Sequence, residues 1–97
     1  METRSVRGFH DVLPEDVRRW QDAEEKAKRV FALYGYSEIR MPVLEFTDIF
    51  ARSLGTTTDI VEKEMYTFTD RDGSSLTLRP EGTAGVVRAY IENSMWA

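Results

Sequence analysis

A carboxylate and a hydroxyl lie two residues apart where a predicted strand turns into a predicted helix. Glu81 and Thr83 follow the β-rich run 75–79 and stand at the start of a helix predicted over residues 82–94. Gly82, between them, permits a close backbone approach or an unusual dihedral angle. Such a pair could bind an ammonium group, because the carboxylate supplies charge-assisted acceptors and the hydroxyl adds one more.

A simpler interpretation assigns both side chains to the helix itself. A carboxylate such as Glu81 is favourable near a helix N-terminus, because the helix dipole is positive there. The hydroxyl of Thr83 can hydrogen-bond to its own turn. The residues by themselves favour this helix-start interpretation over the ammonium site and leave both open.

Composition excludes several other kinds of site. The 97 residues include no cysteine and a single histidine, His10. Disulfides, thiol catalysis and metal sites built from cysteines or several histidines are therefore ruled out, and we predict no catalytic and no metal-ligating residue. The net charge of −4 argues against a nonspecific nucleic-acid coat, which needs a basic surface.

Length and composition are those of one small globular domain. Apolar residues make up 41% and charged residues 31% of the chain, which is ordinary for such a domain. No apolar run is long enough to span a membrane, and the N-terminus lacks the apolar region of a secretory signal. We predict a single partial domain over residues 1–97, since the ending Met95-Trp96-Ala97 is apolar and uncapped, as expected within a longer protein.

The elements that must position the polar pair begin with a long amphipathic helix, predicted over residues 14–34. Pro14 suits the first helical position, where its missing N–H costs nothing, and Gly35 is the expected stop. Apolar residues recur on one face at helical spacing. They are Val17, Trp20, Ala23, Ala27, Val30, Phe31 and Tyr34.

Shorter elements follow the long helix and predict a mixed α+β fold. Alternating apolar and polar residues predict a strand over 36–41, which Pro42 places at an edge or a strand end. The other predicted elements are a helix over 48–54 capped by Thr47 and closed by Gly55, a loop at 56–58, a hairpin of strands 64–69 and 75–79 around residues 70–73, and the helix 82–94.

The corner that carries the polar pair resembles a family signature. Leu78-Arg79-Pro80-Glu81-Gly82-Thr83-Ala84 is similar to the segment of histidyl-tRNA synthetases at the strand that floors the amino-acid pocket. The resemblance implies that Glu81 and Thr83 hold the α-amino group of histidine, whereas Arg79 matches without an assigned role. Synthetases for other amino acids carry different residues at this corner, so the resemblance favours the ammonium site.

The resemblance extends over nearly the whole chain. Similar segments are Arg7-Gly8 with Asp11, Leu13 and Pro14; Tyr34-Gly35-Tyr36 with Glu38-Ile39-Arg40 and Pro42; and residues 62–68 with Asp70, Arg71 and Gly73. The second segment is similar to motif 1 of class II synthetases, a long helix, a strand and a proline that build a dimer interface. It implies a homodimer interface at Tyr34, Gly35, Tyr36, Ile39 and Pro42. Without the family, a helix packed on a sheet in a monomer would be favoured.

The resemblance also implies a fold and an activity. The fold would be α+β, a fragment of the antiparallel-sheet catalytic core of class II synthetases without motif 2, motif 3 or the anticodon-binding domain. The parent enzyme would activate histidine with ATP and Mg²⁺ and transfer it to tRNA(His) in the cytoplasm. The 97-residue chain alone is expected to be inactive and to bind no cofactor.

Two other functions are weighed against this one. The regulatory subunit of ATP phosphoribosyltransferase is a noncatalytic relative of the synthetases that keeps the Leu-Arg-Pro start but departs at the following Glu-Gly-Thr. The intact Glu81-Gly82-Thr83 therefore favours the synthetase. The chain could instead be a stand-alone dimerisation or interaction module.

Overall fold

The structure is a computed structural model that describes residues 2–53 and 64–97, with the side chains of residues 52 and 53 left out. The chain divides into two compact units, Met1–Glu38 and Ile39–Ala97, and each is described by itself. The predicted single domain stays a prediction. The predicted stop at Gly55 and loop at 56–58 lie outside the described residues.

The first unit consists of an irregular lead-in, with a turn at residues 7–8, and the helix α1, Pro14–Leu33. The prediction of a helix over 14–34 is thus confirmed to within one residue. Gly35 ends it with φ +82°, a left-handed conformation that costs glycine least. The N–H of Tyr36 donates to the carbonyl of Phe31 (3.0 Å), and their rings meet edge to face at 5.8 Å. This apolar contact across a glycine turn closes the helix.

The apolar face of α1 is not covered in the described part of the chain. None of the residues of α1 is buried. Four large apolar side chains of α1 are more than half exposed: Trp20, Val30, Phe31 and Leu33. A contiguous apolar stripe of this kind marks an interaction surface more often than a surface that stays exposed to solvent.

The second unit is built on a three-stranded antiparallel sheet. Its strands are β1 (Leu44–Phe46), β2 (Thr67–Thr69) and β3 (Ser75–Leu78), in the order β1-β3-β2. The predicted hairpin is confirmed, although its first strand is shorter than predicted. Its turn places Gly73 at φ +91°, a conformation that a side chain would strain.

The predicted strand over residues 36–41 is wrong. These residues have no strand conformation, and the first strand begins at Leu44. Alternating polarity indicates a backbone that could be extended, but a strand also needs a neighbour that satisfies its N–H and C=O groups. In the described sheet, the strand paired with β3 on this side is β1.

Within the described residues of the second unit, two helices accompany the sheet. They are α2 (Thr47–Ser53) and α3 (Thr83–Glu92), close to the predicted 48–54 and 82–94. The small core contains Phe50, Met65 and Ala84. Thr47 is the first residue of α2, and its hydroxyl hydrogen-bonds with Ser75 Oγ at 2.8 Å. No helix in the described ranges has the length and apolar content needed to cross a membrane.

Candidate functional site

The corner between β3 and α3 is held by backbone hydrogen bonds on both sides of the strand. The N–H of Leu78 donates to the carbonyl of Tyr66 (3.0 Å), and the N–H of Arg79 donates to the carbonyl of Val43 (3.0 Å). The chain then passes Pro80 and enters α3 at Thr83. The end of β3, from which the chain leads into α3, is therefore anchored to the residues that directly precede β2 and β1.

Glu81 is fixed against the first turn of α3. Its Oε2 accepts a hydrogen bond from the N–H of Thr83 (2.6 Å), and its Oε1 accepts one from the N–H of Ala84 (3.1 Å). The first N–H groups of a helix have no partner within the helix, and Gly82 at the N-cap position has no side chain to offer. The helix-start interpretation is therefore confirmed for Glu81, and its role toward an ammonium group stays a prediction.

Capping leaves acceptor capacity on the carboxylate. Each carboxylate oxygen can accept about two hydrogen bonds, and each oxygen of Glu81 accepts one from the backbone of α3. Glu81 and Thr83 are both exposed. The structure thus brings the two predicted residues to one helix end, where the carboxylate has a fixed orientation and can accept further donors.

A basic side chain lies at the same corner. A Cβ built on Gly82 would lie 3.8 Å from Arg79 Nη1 and 3.5 Å from Met41 Cε. The guanidinium therefore lies close to the backbone that joins Glu81 to Thr83. An anionic and a cationic group at one corner suit a ligand that carries both charges.

An ion-pair network, absent from the sequence prediction, joins α3 to β1. Arg88 Nη2 donates to Glu45 Oε2 (3.0 Å), and Arg88 Nη1 donates to Glu92 Oε2 (2.6 Å). Arg88 Nε lies 2.8 Å from Glu45 Oε1; its N–H does not point well enough at that oxygen to make a hydrogen bond, so this contact is an ion pair only. The hydrogen bonds to Glu45, and secondarily to Glu92, raise the pKa of Arg88, so the guanidinium stays charged.

Glu45 is buried although its apolar neighbours are not. Its side chain is 4% exposed, whereas Leu44 and Phe46 are exposed. Hydropathy alone predicts the opposite arrangement for a half-buried strand, so the sequence does not single out Glu45 as a buried residue. The only sequence signal is that Arg88 lies on the helix that follows the corner, and it does not identify a partner.

Comparison with known proteins decides the family. The family model of histidyl-tRNA synthetase matches residues 8–96. The chain belongs to the histidyl-tRNA synthetase family. It is 60% identical over 92 residues to the histidine–tRNA ligase of Geobacter metallireducens and 62% identical over 92 residues to that of Halorhodospira halophila. Each comparison covers 95% of this chain but only 22% of the relative. The chain therefore spans about a fifth of the length of these relatives.

Solved structures agree with the family assignment. Apo histidyl-tRNA synthetase from S. aureus matches 99% of this chain and 22% of its own, with a TM-score of 0.81 and 45% identity. A protein described as an ATP phosphoribosyltransferase regulatory subunit/histidyl-tRNA synthetase from Bacillus halodurans matches 93% of this chain and 23% of its own, at TM-score 0.69 and 26% identity. The predicted α+β fold, a fragment of a class II synthetase, is confirmed.

The residues predicted for a family dimer interface lie in both compact units. Tyr34, Gly35 and Tyr36 follow α1 in the first unit, and Ile39 and Pro42 precede β1 in the second. All five are exposed. Their role in a dimer stays a prediction.

Proposed function

We propose that this chain is the N-terminal part of a histidine–tRNA ligase that activates histidine with ATP and transfers it to tRNA(His). The observation that carries the proposal is the unbroken Glu81-Gly82-Thr83 at the β3–α3 corner of a chain that belongs to this family. The regulatory subunit of ATP phosphoribosyltransferase is the weaker candidate. The relative whose description includes it is 26% identical, whereas the ligases are near 60%.

The proposed share of this segment is to hold the histidine ammonium. Histidine arrives as a zwitterion, and its ammonium loses water on binding, so a fixed anion must replace that water. The Glu81 carboxylate is fixed by two backbone N–H groups and would accept the ammonium on its remaining lone pairs. Thr83 would add a hydroxyl acceptor. Orienting the ammonium in this way would turn the histidine carboxylate toward ATP.

Glu81 can cap the helix and bind the ammonium at the same time. The backbone of α3 is a weak competitor, since a carboxylate at a helix N-terminus gains about 0.3–1 kcal/mol from the dipole. A desolvated charge pair loses about 2–5 kcal/mol when one partner is removed. The free energy at stake in the ammonium–carboxylate pair is therefore larger than that of the helix dipole. The cap orients the carboxylate before the ligand binds.

ATP and Mg²⁺ are proposed for the parent enzyme and not for this segment. Charge that develops on a phosphoryl group is stabilised by cations and directed donors. Over residues 2–53 and 64–97, no three His, Asp or Glu side chains lie together so as to hold a metal ion. We assign no step through Mg²⁺ to these residues. Because the predicted fragment does not include motif 2 or motif 3, the isolated 97-residue chain should show only background ATP–pyrophosphate exchange.

The homodimer and the cytoplasmic location belong to the same proposal. The exposed apolar side chains of α1, together with Tyr34 at 78% and Tyr36 at 69% exposure, support a protein interface at the end of this helix. Aromatic residues are enriched at such interfaces. The location follows only from the proposed activity.

The experiment that tests the pocket uses two variants of the full-length enzyme. Glu81→Gln keeps size and removes the charge, so kcat/KM for histidine in ATP–pyrophosphate exchange should fall between about 30-fold and about 4,000-fold. Thr83→Val removes only a hydroxyl and should cost about 2-fold to 10-fold for an ordinary hydrogen bond, or up to about 150-fold for one to a charged group. Glu92→Gln, at the other end of α3, is the control and should change kcat/KM by less than about 2-fold.

The kinetics of the folded enzyme, and not its thermal stability, separate the two roles of Glu81. Because its carboxylate caps α3, Glu81→Gln should lower Tm whether or not it binds histidine. Only kcat/KM of the folded enzyme therefore shows whether Glu81 also binds histidine. Unchanged kcat/KM for histidine in Glu81→Gln would remove Glu81 from the pocket and leave it a helix cap.

A further inference from the structure

One buried charged contact crosses from the sheet to α3. The Glu45 side chain is 4% exposed and the Arg88 side chain 22%, and two nitrogens of Arg88 lie within 3.0 Å of two different Glu45 oxygens. A guanidinium that faces a carboxylate with two nitrogens restricts both distance and angle. This contact therefore limits how α3 can slide or rotate on β1.

The apolar contacts of α3 restrict it much less. Its buried residues are Ala84, Gly85 and Ala89, which are small and interdigitate little with the neighbouring elements. Buried polar contacts are best known for selecting one register among several that apolar packing would allow. On α3, the buried polar contact that can select one register is the one between Arg88 and Glu45.

The Glu45 carboxylate also lies directly against the first turn of α3. A Cβ built on Gly85 would lie 2.9 Å from Glu45 Oε2. Gly85 follows Thr83 and Ala84, whose N–H groups hold the Glu81 carboxylate. A shift of this turn would therefore move the two donors that orient Glu81.

We propose that Glu45 and Arg88 are positioning residues that set the place of the first turn of α3 and, through its backbone N–H groups, of the Glu81 carboxylate that binds the histidine ammonium. The inference rests on the proposed function, because it gives Glu81 its ligand. Arg88 lies seven residues beyond Glu81, which corresponds to about 10 Å along a helix. Arg88 would therefore act through the helix and not by touching histidine.

The test uses the full-length enzyme with charge-removing variants on both sides of the ion pair, Glu45→Gln and Arg88→Gln. Displacement of a binding group by about 1 Å can cost about 100-fold in rate. Each variant should raise KM for histidine by about 10-fold to 100-fold and leave KM for ATP within about 2-fold. Glu92→Gln removes the exposed, intrahelical partner of the same arginine and should leave both values within about 2-fold.

Using both variants separates positioning from direct electrostatics. Through-space electrostatics alone would make loss of the Glu45 charge weaken binding of a cationic ammonium and loss of the Arg88 charge strengthen it. Positioning predicts that both variants bind histidine more weakly. A histidine analogue without the α-amino group does not use Glu81, so inhibition by it should stay within about 2-fold in every variant.

Arg88→Lys tests the same idea with the smallest disturbance. Lysine keeps the charge but not the two-nitrogen contact, so KM for histidine should rise by about 3-fold to 10-fold. This variant decides the question if the charge-removing variants do not fold. All assays are run well below the Tm of the least stable variant.

Three results would overturn the proposal. The first is a lower Tm with unchanged KM for histidine, which is what a purely structural ion pair predicts. The second is opposite changes in KM for Glu45→Gln and Arg88→Gln, and the third is unchanged KM in Arg88→Lys. If Glu81→Gln weakens histidine use and the ion-pair variants do not, the proposed function stands without this inference. If Glu81→Gln has no effect, the pocket assignment itself fails.

Discussion

Adding one methyl group at Gly85 should destabilise α3, although alanine is the better helix former. The new Cβ would lie 2.9 Å from Glu45 Oε2 and 3.2 Å from Met41 Sδ, whereas ordinary contacts begin at 3.4 Å. The carboxylate would have to move by about 0.5 Å to reach that ordinary contact distance. It cannot move freely, because Arg88 holds it from the same helix.

The expected magnitude follows from two opposing effects. Replacing glycine by alanine inside a helix gains at most about 1 kcal/mol, and less near the start, where Gly85 is the third residue of α3. Overpacking a buried position costs about 1–3 kcal/mol. We therefore expect Gly85→Ala to lower the free energy of opening of α3 by about 0.5–2 kcal/mol.

Hydrogen exchange of the α3 amides in the full-length enzyme is a suitable assay. It reports local opening and does not require the whole protein to unfold in two states. The effect of Gly85→Ala on the free energy of opening of α3 is measured in the native background. It is measured again in Glu45→Ala, which removes the opposing carboxylate. In that background Gly85→Ala should become neutral or stabilising by up to about 1 kcal/mol, because the remaining contact, Met41, is flexible.

A constraint by the Glu45 carboxylate predicts that Gly85→Ala has different effects in the two backgrounds. Residues in contact commonly show interaction energies of about 0.5–3 kcal/mol in a double-mutant cycle. If Gly85→Ala has the same effect with and without the Glu45 side chain, then the carboxylate does not constrain this turn. Glu45 would then not set the position of the first turn of α3.

Three further predictions concern other parts of the chain. Gly35→Ala should lower the stability of the last turn of α1, measured by amide hydrogen exchange, by about 1 kcal/mol, because Gly35 has φ +82° with open space around it. Gly35→Asn should lower it less, and equal losses in the two variants would contradict this prediction. The backbone and side chain of Ser74 hold the pKa of Asp72 below its usual value, so hairpin stability should be present above pH about 4 and be lost as the pH falls through the lowered pKa. Asp72→Asn should flatten that acid dependence of hairpin amide exchange, and an unchanged pH profile would exclude the cause. The 97-residue chain should self-associate through the exposed face of α1 in sedimentation equilibrium at micromolar concentration, and a monomer at all concentrations would exclude this.

Local signals predicted the elements that depend on neighbours in the chain. Pro14 and Gly35 bound the long helix because their effects on φ and on the backbone N–H act within one turn. The hairpin turn at residues 70–73 was predictable for the same reason, since Gly73 meets a conformational need of its own residue. The strand predicted over 36–41 is wrong because local polarity does not show whether another strand pairs with an extended segment.

The sequence by itself determined the helix, the hairpin, the strand-to-helix corner and, through the corner motif, the family. Only the tertiary structure showed how the Glu81 carboxylate is oriented and that Glu45 is buried between exposed Leu44 and Phe46. Hydropathy assigns a charged residue to the surface, since burial of a lone charge costs several kcal/mol. Arg88 offsets that cost from 43 residues away in the sequence, and a contact of that separation exists only once β1 and α3 have come together.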